Sequence, residues 1–178
     1  GITNGSYLDL GIWFIPFMLL GLLGTVNGAN FTDGIDGLAA CVTLLITTFF
    51  SVAAIIQNSS IYPITGAAAG SLLGFLVFNI YPARIFMGDT GSLALGGFVA
   101  ASAFMLRMPA YLIIVGMVYL IEVMSVVLQV VYFKLTKGKR IFRMAPIHHH
   151  FELCGWSEIK IVAVFSIITV ICCIIAFT

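Results

Sequence analysis

Long apolar stretches separated by short polar segments make up most of this chain. A helix needs about 20 mostly apolar residues to cross the hydrocarbon core of a membrane, and six stretches meet or approach that length. They cover residues 10–29, 38–56, 63–82, 93–106, 110–133 and 159–178. The fourth is short and begins in glycines, and the fifth is long enough to project from the bilayer. The pattern predicts an all-α fold, a polytopic integral membrane helical bundle with about six transmembrane helices.

Composition supports a membrane location for the whole chain. Of 178 residues, 61% are hydrophobic and 8% are charged, and the mean hydropathy is +1.16. A soluble domain carries roughly a quarter charged residues, so lipid must cover most of this surface. We therefore expect a single transmembrane domain over residues 1–178. The net charge of +1, without a basic run interleaved with aromatics, indicates no nucleic-acid partner.

The loops divide into two sides when the predicted spans alternate across the membrane. One side carries nearly all the basic residues of the loops, whereas the other carries only Arg107. Because cytoplasmic loops are enriched in Lys and Arg, the basic side is predicted to be cytoplasmic. The histidines and most of the acids fall on the same side. The basic residues of that side are Arg84, Lys134, Lys137, Lys139, Arg140 and Arg143.

A polar segment, residues 30–37, follows the first span. Asn30, Asp33 and Asp36 are spaced by three, so we expect one polar stripe on a helix that opens the second span. Asn30 or Thr32 can cap that helix, and early carboxylates suit the positive end of its dipole. Capping explains one acid, but two acids at a membrane surface are costly and are typically functional. The segment favours a polar ligand pocket.

A second polar segment, residues 86–92, precedes the fourth span. Gly88 and Gly91 let a ligand approach the backbone, and Ser92 is a natural N-cap for a helix whose N-terminus can receive phosphate. The Asp89 carboxylate suits Mg²⁺, which is usually held by one or two carboxylates together with substrate phosphates. A tight turn explains the same residues equally well.

A third polar segment, residues 146–152, lies in the long basic loop and contains three consecutive histidines. They cannot all face one point on a regular helix, so we do not expect a dedicated zinc site. Imidazoles can instead hold phosphate or move protons, and a solvated polar loop is the alternative. Glu122 and Gln129 share one face of the fifth span. We expect Gln129 to line the same pocket and Glu122, which lies deeper, to be structural.

Three segments of the chain resemble the polyprenyl-phosphate N-acetylhexosamine-1-phosphate transferase family. They are residues 27–39, 79–92 and 146–152, and the likeness extends over essentially all 178 residues. The first two segments are shared by the wider family. The third resembles the phospho-N-acetylmuramoyl-pentapeptide-transferase branch, whereas the GlcNAc-1-phosphate enzymes carry a different histidine-rich loop.

The resemblance implies a Mg²⁺-dependent enzyme of the bacterial cytoplasmic (inner) membrane. Enzymes of this branch transfer phospho-MurNAc-pentapeptide from UDP-MurNAc-pentapeptide to undecaprenyl phosphate, release UMP and form lipid I for peptidoglycan. The reaction takes place at the cytoplasmic face, which the charge pattern also selects. The resemblance further implies a homodimer in the lipid bilayer.

The same resemblance assigns roles to individual residues. Asp89 is expected to bind Mg²⁺, and Phe86 to stack on uracil. The expected catalytic residues are Asp33, Asp36, Asp89, His148 and His149. The expected nucleotide- and substrate-binding residues are Asn30, Asp33, Asp36, Asn79, Phe86, Gly88, Gln129, Ala145, His149 and His150.

Two other functions and one departure from the family qualify this hypothesis. A polyprenyl-phosphate GlcNAc-1-phosphate transferase differs in the sugar nucleotide that it accepts. A membrane transporter would place ionisable groups near the midplane on broken helices, but only Glu122 lies deep in a span. The family also has helices before this region that carry an Asp-Asp motif. We therefore expect the chain to be the C-terminal portion of a longer protein with roughly ten membrane helices.

Overall fold

The computed structural model describes residues 9–178, and these residues form helices joined by short segments. A 3₁₀ turn at Gly11–Trp13 leads into the first of eight α-helices. The helices are α1 (Phe14–Thr32), α2 (Leu38–Ile56), α3 (Tyr62–Asn79), α4 (Gly88–Met105), α5 (Tyr111–Val115), α6 (Met117–Leu135), α7 (Ile147–Leu153) and α8 (Glu158–Phe177). The predicted all-α class is confirmed.

Five of these helices are long and apolar enough to cross a membrane, compared with about six expected. They are α1 with its preceding turn, α2, α3, α6 and α8. The exception is α4, which has 18 residues but opens with the polar residues Asp89, Thr90 and Ser92. Large apolar side chains remain exposed on the bundle, among them Leu20, Val77 and Leu135. Lipid is the environment in which such a surface is stable.

The fourth and fifth predicted spans differ most from the structure. α4 begins at Gly88, five residues before the predicted span. Ser92 lies inside the helix, and its hydroxyl donates to the Gly88 carbonyl (3.1 Å). Ser92 is therefore not an N-cap. The predicted span 110–133 is divided at Gly116 into α5 and α6. A Cβ on Gly116 would lie 2.5 Å from the Leu112 carbonyl oxygen, so this tight connection requires glycine.

Small residues allow α1 to pack closely against two neighbouring helices. A Cβ on Gly96 of α4 would lie 2.6 Å from the Val26 Cα, and one on Gly28 would lie 2.6 Å from the Tyr119 Cβ of α6. Close approach at glycine is the usual way in which membrane helices gain packing contacts. The Tyr119 hydroxyl also forms a buried hydrogen bond with the Thr43 hydroxyl, which joins α6 to α2.

The polar connections of the bundle meet at one end. Hydrogen bonds there join the last turn of α1 to the first turn of α4, and the segment 33–37 to the segment 80–87 and the first turn of α8. A further hydrogen bond joins α7 to Glu122 of α6. At the other end, Phe49 contacts Phe177, and Gln57 contacts Met108. The arrangement agrees with the prediction that the acids and histidines of the loops share one side.

Substitution of Gly96 tests the close packing of α1 on α4. We expect Gly96→Ala to lower the free energy of unfolding by about 1–3 kcal/mol, because the added methyl group would overlap backbone atoms of Thr25 and Val26. Thermal unfolding in detergent micelles measures the change. Gly97→Ala is the matched control, since its methyl group would meet only the Val26 Cγ2 at 3.9 Å. Equal stability of the two variants would contradict the packing argument.

Candidate functional site

Asn30 connects the first two polar segments. It lies in the last turn of α1, and its Nδ2 donates to the Asp89 Oδ1 (3.1 Å) and to the Ser92 Oγ (3.0 Å) of α4. These bonds fix the orientation of the Asp89 carboxylate at the first turn of α4, where the helix dipole favours negative charge. The residues are 59 and 62 positions apart in sequence, so only the fold brings them together.

Asp33 follows α1 directly and faces the same place. Burial and, to a smaller extent, the charge of Asp89 raise the pKa of Asp33 from 3.8 to about 6. A pair of carboxylates is electrostatically unfavourable without a cation nearby. Within residues 9–178, no Lys or Arg nitrogen lies within 4.0 Å of a carboxylate oxygen. Asp33 and Asp89 therefore form a negatively charged pair without a cationic side chain to balance it.

The predicted polar stripe of Asn30, Asp33 and Asp36 does not form, because helix α1 ends between the first two. Asn30 belongs to α1, Asp33 is its C-cap, and Asp36 lies in the turn before α2. The Asp36 carboxylate accepts from the backbone N–H of Ala83 (2.8 Å), and the Asp36 N–H donates to the Glu158 Oε2 (3.3 Å). Asp36 thus joins three segments of the chain.

The segment 80–87, which leads into the first turn of α4, presents an exposed aromatic ring. The Asn79 side chain is 4% exposed, and its Nδ2 donates to the Ile85 carbonyl (2.9 Å), so this amide shapes the segment. Phe86 is 75% exposed, which leaves its ring accessible. Gly88, between Phe86 and Asp89, has a φ of +66°, a value that favours glycine.

The three histidines form part of α7, a short helix where the sequence predicted only a loop, and they point to three different places. His148 is fully buried beside Glu122 of α6. The His149 Nδ1 contacts the Glu152 carboxylate one turn later. The His150 Nδ1 accepts from the Arg143 N–H (3.1 Å). No three His, Cys, Asp or Glu side chains in the described part of the chain converge as metal ligands.

Glu122 contacts this site, a pairing that the sequence did not predict. Its Oε2 accepts from the Ile147 N–H (3.0 Å) and lies 3.2 Å from the His148 Nδ1, and both side chains are 0% exposed. The Glu122–His148 approach lacks the alignment of a full hydrogen bond, since both ring nitrogens and the Glu122 Oε1 have no hydrogen-bond partner. An acid inside a membrane span was the signal available in the sequence.

Gln129 and Ala145 line a cavity of about 530 Å³ at the end of α6. The Gln129 amide holds the wall of this cavity, because its oxygen accepts from the Ile141 and Phe142 N–H groups and its nitrogen donates to the Phe142 carbonyl. The lining is apolar on one side and basic on the other, where it includes Lys134, Arg140 and Arg143. None of the predicted acids lines it.

The structure therefore brings some predicted site residues together and separates others. One group lies at the Asp33–Asp89 pair, namely Asn30, Asp33 and Asp89, and Phe86 and Gly88 directly precede Asp89 in sequence. A second group, Asp36, Asn79 and Gln129, forms hydrogen bonds with backbone groups, and His148 lies buried against Glu122. His149, His150 and Ala145 lie on or next to α7. The residue types of the first group suit a Mg²⁺ ion that also binds substrate phosphates.

The chain is similar to known families of membrane transferases. Residues 1–107 match the family model of glycosyl transferase family 4. The chain is 56% identical over 173 residues to a phospho-N-acetylmuramoyl-pentapeptide-transferase of Clostridium botulinum strain Eklund 17B, covering 97% of this chain and 53% of that protein. The proteins of that name from Clostridium perfringens strain 13 and Acetivibrio thermocellus are 57% and 56% identical, over 98% and 96% of this chain and 55% and 52% of theirs. The chain spans about half the length of these relatives.

The pH dependence of stability tests the Asp33–Asp89 pair. Because the folded state raises the Asp33 pKa from 3.8 to about 6, it binds the proton more tightly than the unfolded state. The resulting stabilisation is complete below pH 3.8 and is lost as pH rises through about 6. We expect the Tm of metal-free protein in detergent to fall through this range.

The variants Asp33→Asn and Asp89→Asn serve as controls for that measurement. Asp33→Asn should remove the step, and Asp89→Asn should move it to lower pH, because one cause of the raised Asp33 pKa is then absent. An unchanged pH profile in Asp33→Asn would show that other groups are responsible.

Proposed function

Because this chain belongs to glycosyl transferase family 4, we propose that it forms part of an enzyme that transfers phospho-MurNAc-pentapeptide from UDP-MurNAc-pentapeptide to undecaprenyl phosphate. The products are UMP and lipid I. The chain is a multi-pass membrane protein, and we propose the cytoplasmic face of the bacterial inner membrane as the place of reaction. Phosphoryl transfer needs positioning and charge stabilisation more than covalent chemistry from the protein, and the residues at the polar end are of the types that supply both.

The observation that carries the proposal is the contact between the ends of α1 and α4. This contact sets Asn30, Asp33 and Asp89 side by side. The segment that precedes α4 carries an exposed aromatic ring, Phe86. Carboxylates for a metal ion, a glycine-lined approach and a ring for stacking are the parts that a uridine diphosphate ester requires. All of them lie at the polar end of the bundle, where a water-soluble donor can reach them.

Asp89 is the proposed Mg²⁺ ligand, and Asn30 is the residue that orients it. Within residues 9–178 no Lys or Arg nitrogen lies within 4.0 Å of Asp33 or Asp89, so a divalent cation would relieve the repulsion between the two carboxylates. Mg²⁺ in such a site supplies charge neutralisation to the diphosphate. The Asp36 carboxylate accepts from the backbone N–H of Ala83 and so holds the segment 80–87, which also carries Phe86.

The remaining predicted residues act around this centre. We propose that His149, which contacts Glu152, and His150 line the sugar-phosphate part of the site, and that Gln129 and Ala145 border it through the cavity at the end of α6. The basic residues of that cavity suit an anionic substrate. His148 is buried and contributes from behind the surface.

We further propose that the active unit is a longer polypeptide, of about twice this length, in a homodimer within the bilayer. The coverage of 53% of a relative 56% identical to this chain supports the length. Additional helices would supply the catalytic groups that the family resemblance implies and that this chain does not carry.

Release of UMP from purified enzyme tests the proposed reaction directly. The enzyme should be the longer polypeptide, in detergent with undecaprenyl phosphate and Mg²⁺. We expect release from UDP-MurNAc-pentapeptide that requires both the lipid and the metal, and none from UDP-GlcNAc. Release from UDP-GlcNAc instead would favour the GlcNAc-1-phosphate transferases. A folded protein inactive with both donors would contradict the proposal.

Asp89→Asn tests the metal ligand in the same assay. The asparagine side chain keeps the size of the residue and can still accept from Asn30, but it loses the negative charge. We expect kcat to fall by about 10²–10³ with little change in Tm at neutral pH. Thr90→Ala is a control in the same turn, since Thr90 is exposed. Retained activity in Asp89→Asn would remove Asp89 as the ligand.

A further inference from the structure

Glu122 is a buried acid in the second turn of α6, and its carboxylate contacts α7. Its Oε2 accepts from the Ile147 N–H, which is the first N–H of α7, and lies 3.2 Å from the His148 Nδ1. Both side chains are 0% exposed. Burying a carboxylate in this position has a large desolvation cost, which indicates a role beyond filling space.

The His148 ring lies between Glu122 and the loop that carries the acids. On its far side, a Cβ on Gly34 would be 2.1 Å from the His148 Nε2 and 2.7 Å from the Cε1. Gly34 immediately follows Asp33 in sequence. Only glycine can occupy this position while the ring keeps its place, because the ring is held against Glu122 on the other side.

The contact therefore links three elements of the site in one line: α6, the His148 ring of α7, and the 33–37 loop. Two apolar side chains could fill the same volume without the cost of desolvating an acid and an imidazole. Both ring nitrogens of His148 and the Glu122 Oε1 lack a hydrogen-bond partner. The energy of such a buried polar cluster depends strongly on the position of each group.

We propose that Glu122 is a positioning residue of the transferase site. Its carboxylate holds His148 and the start of α7, and the His148 ring in turn sets the position of Gly34 and hence of Asp33. Glu122 touches no substrate in this scheme. The inference rests on the proposed function, because it assigns Asp33 and His149 to that site.

The first test replaces Glu122 in the longer polypeptide. Glu122→Gln keeps an acceptor for the Ile147 N–H but removes the charge that faces His148. We expect kcat/KM for the nucleotide donor to fall about 100-fold, the size expected for a misplacement of about 1 Å, with the KM for polyprenyl phosphate little changed. Ser125→Ala is the matched control, because Ser125 is buried one turn along α6 and donates only to the Glu122 backbone carbonyl. An equal loss of kcat/KM in Glu122→Gln and Ser125→Ala would show that disturbed packing of α6 explains the effect and would overturn the proposal.

The second test reads the histidine ring itself. In the longer polypeptide, ring-¹⁵N-histidine NMR reads the imidazoles, and comparison with His148→Gln, His149→Gln and His150→Gln assigns the signals of the three histidines of α7. We expect Glu122→Gln to shift the His148 ring nitrogens and leave those of His150 in place. Unchanged His148 signals would overturn the pairing. This readout needs no turnover, so it separates failure of the inference from failure of the proposed function.

The third test uses the contact between Gly34 and the ring. We expect Gly34→Ala to weaken binding of UMP with Mg²⁺, measured by calorimetry, because the new methyl group would displace the loop from His148. In a His148→Ala background the same substitution should have little further effect, since the ring is absent. Additive effects of the two substitutions would show that Gly34 and His148 act independently and would contradict the proposed line of contacts.

Discussion

Lipid around the helices allows polar chemistry only where the backbone and side chains can satisfy one another. Charged groups on the outer faces of α1, α3 or α8 would face hydrocarbon, so these faces are apolar and the reactive groups collect at one end. Glu122, an acid within the apolar helix α6, is turned inward toward His148 at this end. The arrangement of the candidate site follows from this constraint before any question of substrate arises.

The apolar periodicity was sufficient to locate most of the helices. The predicted span 38–56 matches α2 at both ends, and 159–178 matches α8 within one residue, because nothing polar interrupts either stretch. The start of α4 was missed because its first turn is built from polar residues and glycine. Hydropathy cannot distinguish such a turn from a loop.

The sequence singled out Asp33 and Asp89, which the fold brings together, but it did not predict the geometry of the polar end. Spacing placed Asp36 on a stripe with Asp33, whereas the end of α1 turns it toward Ala83 and Glu158. The pairing of Glu122 with His148 joins positions 26 residues apart through a loop and a short helix, and no periodicity reports such a contact. Helix ends, and contacts between residues distant in sequence, depend on tertiary packing, which cannot be read from the pattern of a single sequence.

Basic side chains without close acidic partners have a consequence for the reaction cycle. Lys134, Arg140 and Arg143 line one cavity, and among residues 9–178 no carboxylate oxygen lies within 4.0 Å of their nitrogens. Their positive potential attracts an anionic donor, but it also retains an anionic leaving group. In the proposed reaction the departing nucleotide would have to leave against the field that drew its precursor in. Departure of the nucleotide then becomes a natural candidate for the slow step of turnover.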